Sequence, residues 1–293
     1  MMIDSSGKRW YKGNLHMHTT VSDGKKSPED AISLYAGEGY DFLSITDHWH
    51  VSENGSRDGV LLFSGCEYDF HHSVLDGIFH IVSVGTAADP AVTRTDTPQQ
   101  AIDKIHAAGG LAILAHPAWS LNTPEQILSL HGIDATEIFN SVSDLPFNCR
   151  PYSGLIVDML AARGLRLPLY ASDDAHFYTN SDACRSYILV QADERSPHSI
   201  LSAIRAGRLY ASQGPELCVE QKDRRIVVRC SPVRSIVFFT DAVWNNHRSD
   251  VGNGLTEAVF DAAPHETFVR VEITDPEGRS AWSPVIPLPT AAG

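Results

Sequence analysis

Short apolar runs alternate along this chain with polar stretches that carry a repeated start signal for helices. The signal is a hydroxyl residue followed by proline, at Ser27-Pro28, Thr97-Pro98, Thr123-Pro124 and Ser196-Pro197. The hydroxyl caps orphan N–H groups, and proline takes the first helical position with φ already set. Gln100 and Gln126 stand three residues after Thr97 and Thr123, the spacing of a capping box. Glycine follows where helices should stop, at Gly39, Gly109, Gly164 and Gly207. Apolar runs of strand length occupy 42–45, 61–63, 78–84, 111–115, 133–139, 167–171 and 187–190. Runs of this kind between helices predict strands of a buried parallel sheet. About seven βα units within roughly 200 residues predict an α/β fold closed, or nearly closed, into a barrel. A nucleotide-binding sheet is disfavoured, because no glycine-rich phosphate loop is present.

From about Gly214 the helix starts vanish. Runs at 226–229, 236–240 and 268–273 read as strands, separated by turn residues such as Asp275-Pro276-Glu277-Gly278. The expected organisation is therefore a barrel over residues 1–212 and a small all-β, sandwich-like domain over 213–293. No low-complexity linker separates them, so the two are expected to pack together.

Composition narrows the partners. The formal charge of −13 counts against nucleic acid and anionic membranes as partners. It leaves room for an anionic small molecule, since bound metal ions invert the field inside a pocket. No stretch of eighteen apolar residues occurs, and the first ten residues lack an apolar signal core. Cys66, Cys149, Cys184, Cys218 and Cys230 are odd in number and show no CxxC spacing. They read as reduced thiols of a cytoplasmic protein.

The candidate chemistry lies at the ends of the apolar runs. His16 and His18 follow Leu15, Asp47 and His48 follow residues 42–46, and Glu67 follows 61–65. His116 follows 111–115, Asp174 and His176 follow 167–172, and His80 stands at the start of its run. Strand ends of a parallel barrel converge on one face, so these residues would meet in one pocket. Alternate residues point the same way, so His16 with His18, and Asp174 with His176, can each grip one ion. Imidazoles and carboxylates without thiolates suit Zn, Mn or Fe. Burying so many ionisable groups without a cation would be costly.

Taken in order, LHMHTTVSDG, SITDH, GCE, FHIVSVG, AHP and SDDAH resemble the motifs of the PHP (polymerase and histidinol phosphatase) family over about residues 10–210. The resemblance implies a distorted seven-stranded (β/α) barrel, a hydrolase activity and two or three divalent metal ions. It implies that His16, His18, Glu67 and Asp174 hold one ion, and that Glu67, His80 and His116 hold a second with Glu67 bridging. Asp23, His48 and His176 would hold a third. Asp47 and Asp173 are read as residues that orient ligands or start helices.

Two ions of this kind activate a bridging water to hydroxide near neutral pH and neutralise charge in the transition state. The expected reaction is release of phosphate from a small phosphorylated metabolite, with Glu67 at its centre. His50, Arg185 and Lys25 are candidates for the leaving-group acid or phosphate clamp, and His71-His72 for the pocket mouth. Neither a GxSxG motif nor a Cys–His pair offers a covalent nucleophile. The alternative is an amide or carbamate hydrolase on the same barrel, favoured if aromatic residues such as Trp49, Trp119, Phe177 and Tyr178 line the pocket and cations do not. A binding module without catalysis is the third reading.

Overall fold

The computed structural model describes residues 2–3, 7–71, 73, 75–179 and 181–290. Each hydroxyl–proline pair starts a helix: Pro28–Gly37, Pro98–Ala107, Pro124–Leu128 and Pro197–Arg205. In each, the capping oxygen accepts the N–H three residues on, and both glutamines complete capping boxes. Gly39, Gly109, Gly164 and Gly207 all take positive φ, between 66° and 91°, as helix-ending glycines do. A fifth helix, Gly154–Ala162, begins without a side-chain cap, because Ser153 Oγ accepts from Ala118 N–H instead.

The strands depart from a closed parallel barrel. They form two sheets, one of thirteen strands and one of five. In the smaller sheet the order is Leu169–Ser172, Ala135–Asn140, Leu111–Leu114, Ile78–Val84, Gly65–His71. The first two pairings are parallel and the last two antiparallel. Connection length explains the last of these pairings. Only Ser64 separates Val60–Phe63 from Gly65–His71, and that strand returns directly as Ile78–Val84. A parallel crossover needs about a dozen residues or more.

The two sheets meet along a seam closed by isolated bridges, Met17 to Ala175 and His48 to Glu67. The candidate residues lie along it. On Gly65–His71, Cys66, Tyr68 and Phe70 pack into an apolar cluster with Ile102, Ile105 and Leu114. Glu67, Asp69 and His71 alternate with them and line the opposite side, a cavity.

In the tail, the runs at 226–229 and 236–240 belong largely to one long strand, Arg225–Phe239, whose register shifts between Arg229 and Val233. The Ser231-Pro232 pair, a turn signal in isolation, is accommodated there as a bulge. Ser280–Trp282 pairs with Phe268–Thr274 on one side and Leu209–Ser212 on the other, so the tail continues the larger sheet. Arg270, with 0% exposure, donates to both carboxylate oxygens of Asp158 at 2.9 Å and lies over the Phe239 ring. It ties the tail to helix Gly154–Ala162. Among the described residues, no helix is long and apolar enough to cross a membrane.

Candidate metal centre

The chain from Leu15 to His18 leaves the strand Arg9–Asn14 and crosses the seam, which turns both His16 and His18 inward with no exposure. His16 Nε2 lies 3.2 Å from both Glu67 Oε2 and Asp174 Oδ1, and His18 Nε2 lies 3.0 Å from the same two oxygens. The two nitrogens are 3.4 Å apart. Ligands about 2.1 Å from a tetrahedral ion sit roughly 3.4 Å from one another, so this spacing fits a cation cage. Asp174 Oδ1 and His48 Nδ1 are buried without a hydrogen-bond partner, as atoms aimed at a cation would be.

Two further groups adjoin the first. Glu67 Oε1 lies 2.7 Å from His80 Nδ1 and 3.4 Å from His116 Nε2. Glu67 thus offers one oxygen to each group. Asp23, His48 and His176 gather with His18, with His176 Nε2 3.3 Å from Asp23 Oδ2 and His18 Nδ1 3.6 Å from Asp23 Oδ1. His116 and Asp174 hold positive φ values of 26° and 50°, a local backbone strain typical of functional positions.

The far ring nitrogens are fixed by partners. His16 Nδ1 donates to Glu137, whose Oε1 is 2.8 Å away. His116 Nδ1 meets Ser120 Oγ at 3.1 Å, and His176 Nδ1 meets the Asp174 carbonyl at 2.8 Å. His80 Nε2 meets His71 Nε2 at 2.6 Å. Such partners set tautomer and ring orientation in metal sites.

The field is strongly negative. Burial alone would lower the pKa of His16, but Asp174, Glu67 and Glu137 raise it well above its ordinary value. Burial likewise opposes charge on His18, yet contact with Asp174 and Glu67 pushes it up to about 9. Burial would raise Glu67, but His16 and His80 hold it well below the carboxylate range. Asp23 is lowered mainly by its contact with His176. A cluster that takes up protons this readily is suited to multivalent cations.

All nine residues expected as ligands therefore lie within the three groups. Asp47 faces away and pins the loop that carries Asp23, accepting from Thr19 N–H, Thr19 Oγ1, Ser22 N–H and Ser22 Oγ. Asp173 accepts from Asn14, Tyr35, Ser141 and the N–H groups of Cys184, Arg185 and Ser186.

The clamp candidates fare differently. His50 is exposed, its Nδ1 on the His48 carbonyl, and does not line the cavity. Arg185 binds Asp144 at 3.2 Å and lines a separate crevice. Lys25 Nζ sits 5.9 Å from the Tyr178 ring centre, outside the cavity lining. His71 lines the cavity, while His72 lies outside the described residues. Trp119 and Tyr178 line it too, whereas Phe177 is buried beside the first helix and Trp49 donates to Asp69 from behind the wall.

Sequence reasoning missed Glu137, Asp69 and Phe147. Glu137 is fully buried and also accepts from His116 N–H at 2.7 Å, Asn140 Nδ2 at 2.8 Å, and the Tyr170 and Ser172 hydroxyls. Its only signal was one charge inside an apolar strand run, Ala135–Asn140.

No protein-family model matches the chain. An uncharacterized protein of Methanocaldococcus jannaschii is 26% identical over 147 residues, which cover 44% of this chain and 82% of that protein. A lesion-specific endonuclease of Pyrococcus furiosus superposes on 68% of this chain and 56% of its own, at 17% identity and a TM-score of 0.47. A Bacteroides vulgatus two-domain protein containing a predicted PHP-like metal-dependent phosphoesterase superposes with a TM-score of 0.57 and 16% identity, over 98% of each chain. Across nearly all its length, this chain has the fold of that PHP-like protein.

Proposed function

We propose that the chain is a metal-dependent hydrolase that cleaves phosphoesters of a small molecule. The observation that carries this reading is the convergence of His16, His18, Glu67 and Asp174, with Asp174 Oδ1 left without a hydrogen-bond partner. In this reading those four residues hold one divalent ion, Glu67 with His80 and His116 a second, and Asp23, His48 and His176 a third. Zn, Mn and Fe suit the donor set. Such ions supply Lewis acidity at the phosphoryl oxygens and lower the pKa of water toward neutrality. Residues of this chain do the rest. Glu137 keeps the proton on His16 Nδ1, so Nε2 presents its lone pair, and Ser120 holds the His116 ring in place through Nδ1. Trp119, Val142 and Phe147 wall the cavity. The residues at 1–212 carry the site, and 213–293 form the proposed second domain.

A second reading, amide or carbamate hydrolysis, is favoured by the walls: Trp119, Phe147 and Tyr178 line the cavity, and no lysine or arginine among the described residues does. Elemental analysis joined to a hydrolysis screen over phosphomonoesters, phosphodiesters and aryl carbamates tests both. His16→Ala or Glu67→Ala is expected to remove metal and turnover together. Retained turnover by either variant without metal would refute the mechanism.

A further inference from the structure

The cavity beside the cluster measures about 340 Å³, and its walls are unevenly made. Aromatic surface stands at both ends of the cluster. At one end Trp119 lies edge-on to His80 and His116, with ring centres 5.6 and 4.9 Å away. At the other, Tyr178 stacks on His176 at 5.1 Å, and Phe147 lies 5.8 Å from Tyr178. Any group held over the metal-facing atoms therefore has an aromatic side chain on each side. Val142 adds to the wall, and no lysine or arginine among the described residues lines the cavity. Four carboxylates do line it, Asp23, Glu67, Asp69 and Asp174.

From this arrangement we infer that the site takes a small phosphodiester with a flat organic group on each ester oxygen. The inference rests on the phosphoesterase reading above and narrows it. A monoester carries a charge of about −1.5 to −2 at pH 7, and sites that bind it commonly add arginine or lysine forks to match. Here the lining carboxylates already offset most of the charge that two or three divalent ions bring, so little positive field is left over. A diester carries one charge and has two substituents to seat. Trp119 takes one, and the Phe147–Tyr178 pair takes the other, by the offset or edge contacts aromatic groups prefer. In the hydrolysis, water oxygen bonds to phosphorus as one P–O ester bond breaks. The departing alcohol leaves with a proton, and a monoester remains. The volume admits a small molecule, and the acidic surface disfavours a nucleic-acid strand.

The test compares bis(p-nitrophenyl) phosphate with p-nitrophenyl phosphate on the metal-loaded full chain. It also measures, by calorimetry, binding of two compounds that cannot be hydrolysed, diphenylphosphinate and phenylphosphonate. The diester is expected to lead in kcat/KM by at least about tenfold, and the phosphinate to bind tighter by a similar factor. Trp119→Ala and Phe147→Ala should each weaken phosphinate binding roughly three- to tenfold with metal content unchanged, the worth of one aromatic contact. Trp119→Phe should retain most of it. Equal or better use of the monoester, or phosphinate binding indifferent to both alanine variants, would overturn the inference and leave the phosphoesterase reading standing. Cleavage of a DNA or RNA strand at rates like those of the small diester would overturn its size limit. Turnover of aryl carbamates with no phosphoester cleaved would overturn the phosphoesterase reading itself.

Discussion

Glu137→Gln is the sharpest test of how this site holds its tautomers. Glu137 Oε2 accepts from His116 N–H and Asn140 Nδ2, and neither of these can ever accept. The glutamine NH2 is therefore forced to the Oε1 side, where it faces His16 Nδ1 and the hydroxyls of Tyr170 and Ser172. The hydroxyls can rotate to accept. His16 can accept at Nδ1 only by moving its proton to Nε2, the atom that faces Glu67 and Asp174. One isosteric change thus removes a lone pair from the cluster without touching a ligand. Loss of an orienting partner costs about 10- to 100-fold in metal affinity, or roughly 1.4–2.7 kcal/mol. Titration against a competing chelator, with elemental analysis, measures it. Glu137→Asp, which keeps the charge but shortens the reach, should lose less than Glu137→Gln if tautomer control matters more than distance. Wild-type metal affinity in the glutamine variant would refute the argument.

Three further predictions concern protons and packing. With His16 raised well above its ordinary value and His18 raised to about 9, both imidazoles hold protons at neutral pH before a cation arrives. Metal binding must then expel protons, so apparent affinity rises as pH climbs through about 9, where His18 gives up its proton, and calorimetry in buffers of different ionisation enthalpy should detect the release. The His18 shift stabilises the cation-free fold fully below pH 6.5, and that contribution is lost as pH rises through about 9. Binding without proton release would contradict both statements. Arg270→Ala strips the buried partner from Asp158 and Glu272 and should cost about 3 kcal/mol in denaturant unfolding, the low end for a broken buried pair because both carboxylates keep some solvent contact. A loss under about 0.5 kcal/mol would show that the clamp is incidental.

What could be read from the sequence was what local chemistry decides. Ser27, Thr97, Thr123 and Ser196 announce helices because capping is settled within four residues, and Gly39, Gly109, Gly164 and Gly207 end them for the same reason. The ligand-type residues stood out because charges at the ends of apolar runs need a common partner. Sheet closure was not legible, since pairing direction depends on connection length, and the strand at Gly65–His71 was hidden by the polar residues it aims at the cavity. His50 stands outside the cavity lining, and one dihedral accounts for it. Trp49 has φ of 59°, which breaks the alternation that would have put His50 on the same side as His48. Cys184, at φ 60°, precedes Arg185, which Asp144 then captures.

The pairing of Ser280–Trp282 with Leu209–Ser212 bears on how the molecule could be divided. A fragment ending near residue 212 would expose a row of unpaired amides and carbonyls along Leu209–Ser212, and would uncover the Phe139 ring that stacks on Trp282. Bare sheet margins of that kind recruit other chains. The β-rich segment thus shields the rest of the chain against self-association, and shortening the protein at the apparent boundary would make it prone to stick to copies of itself.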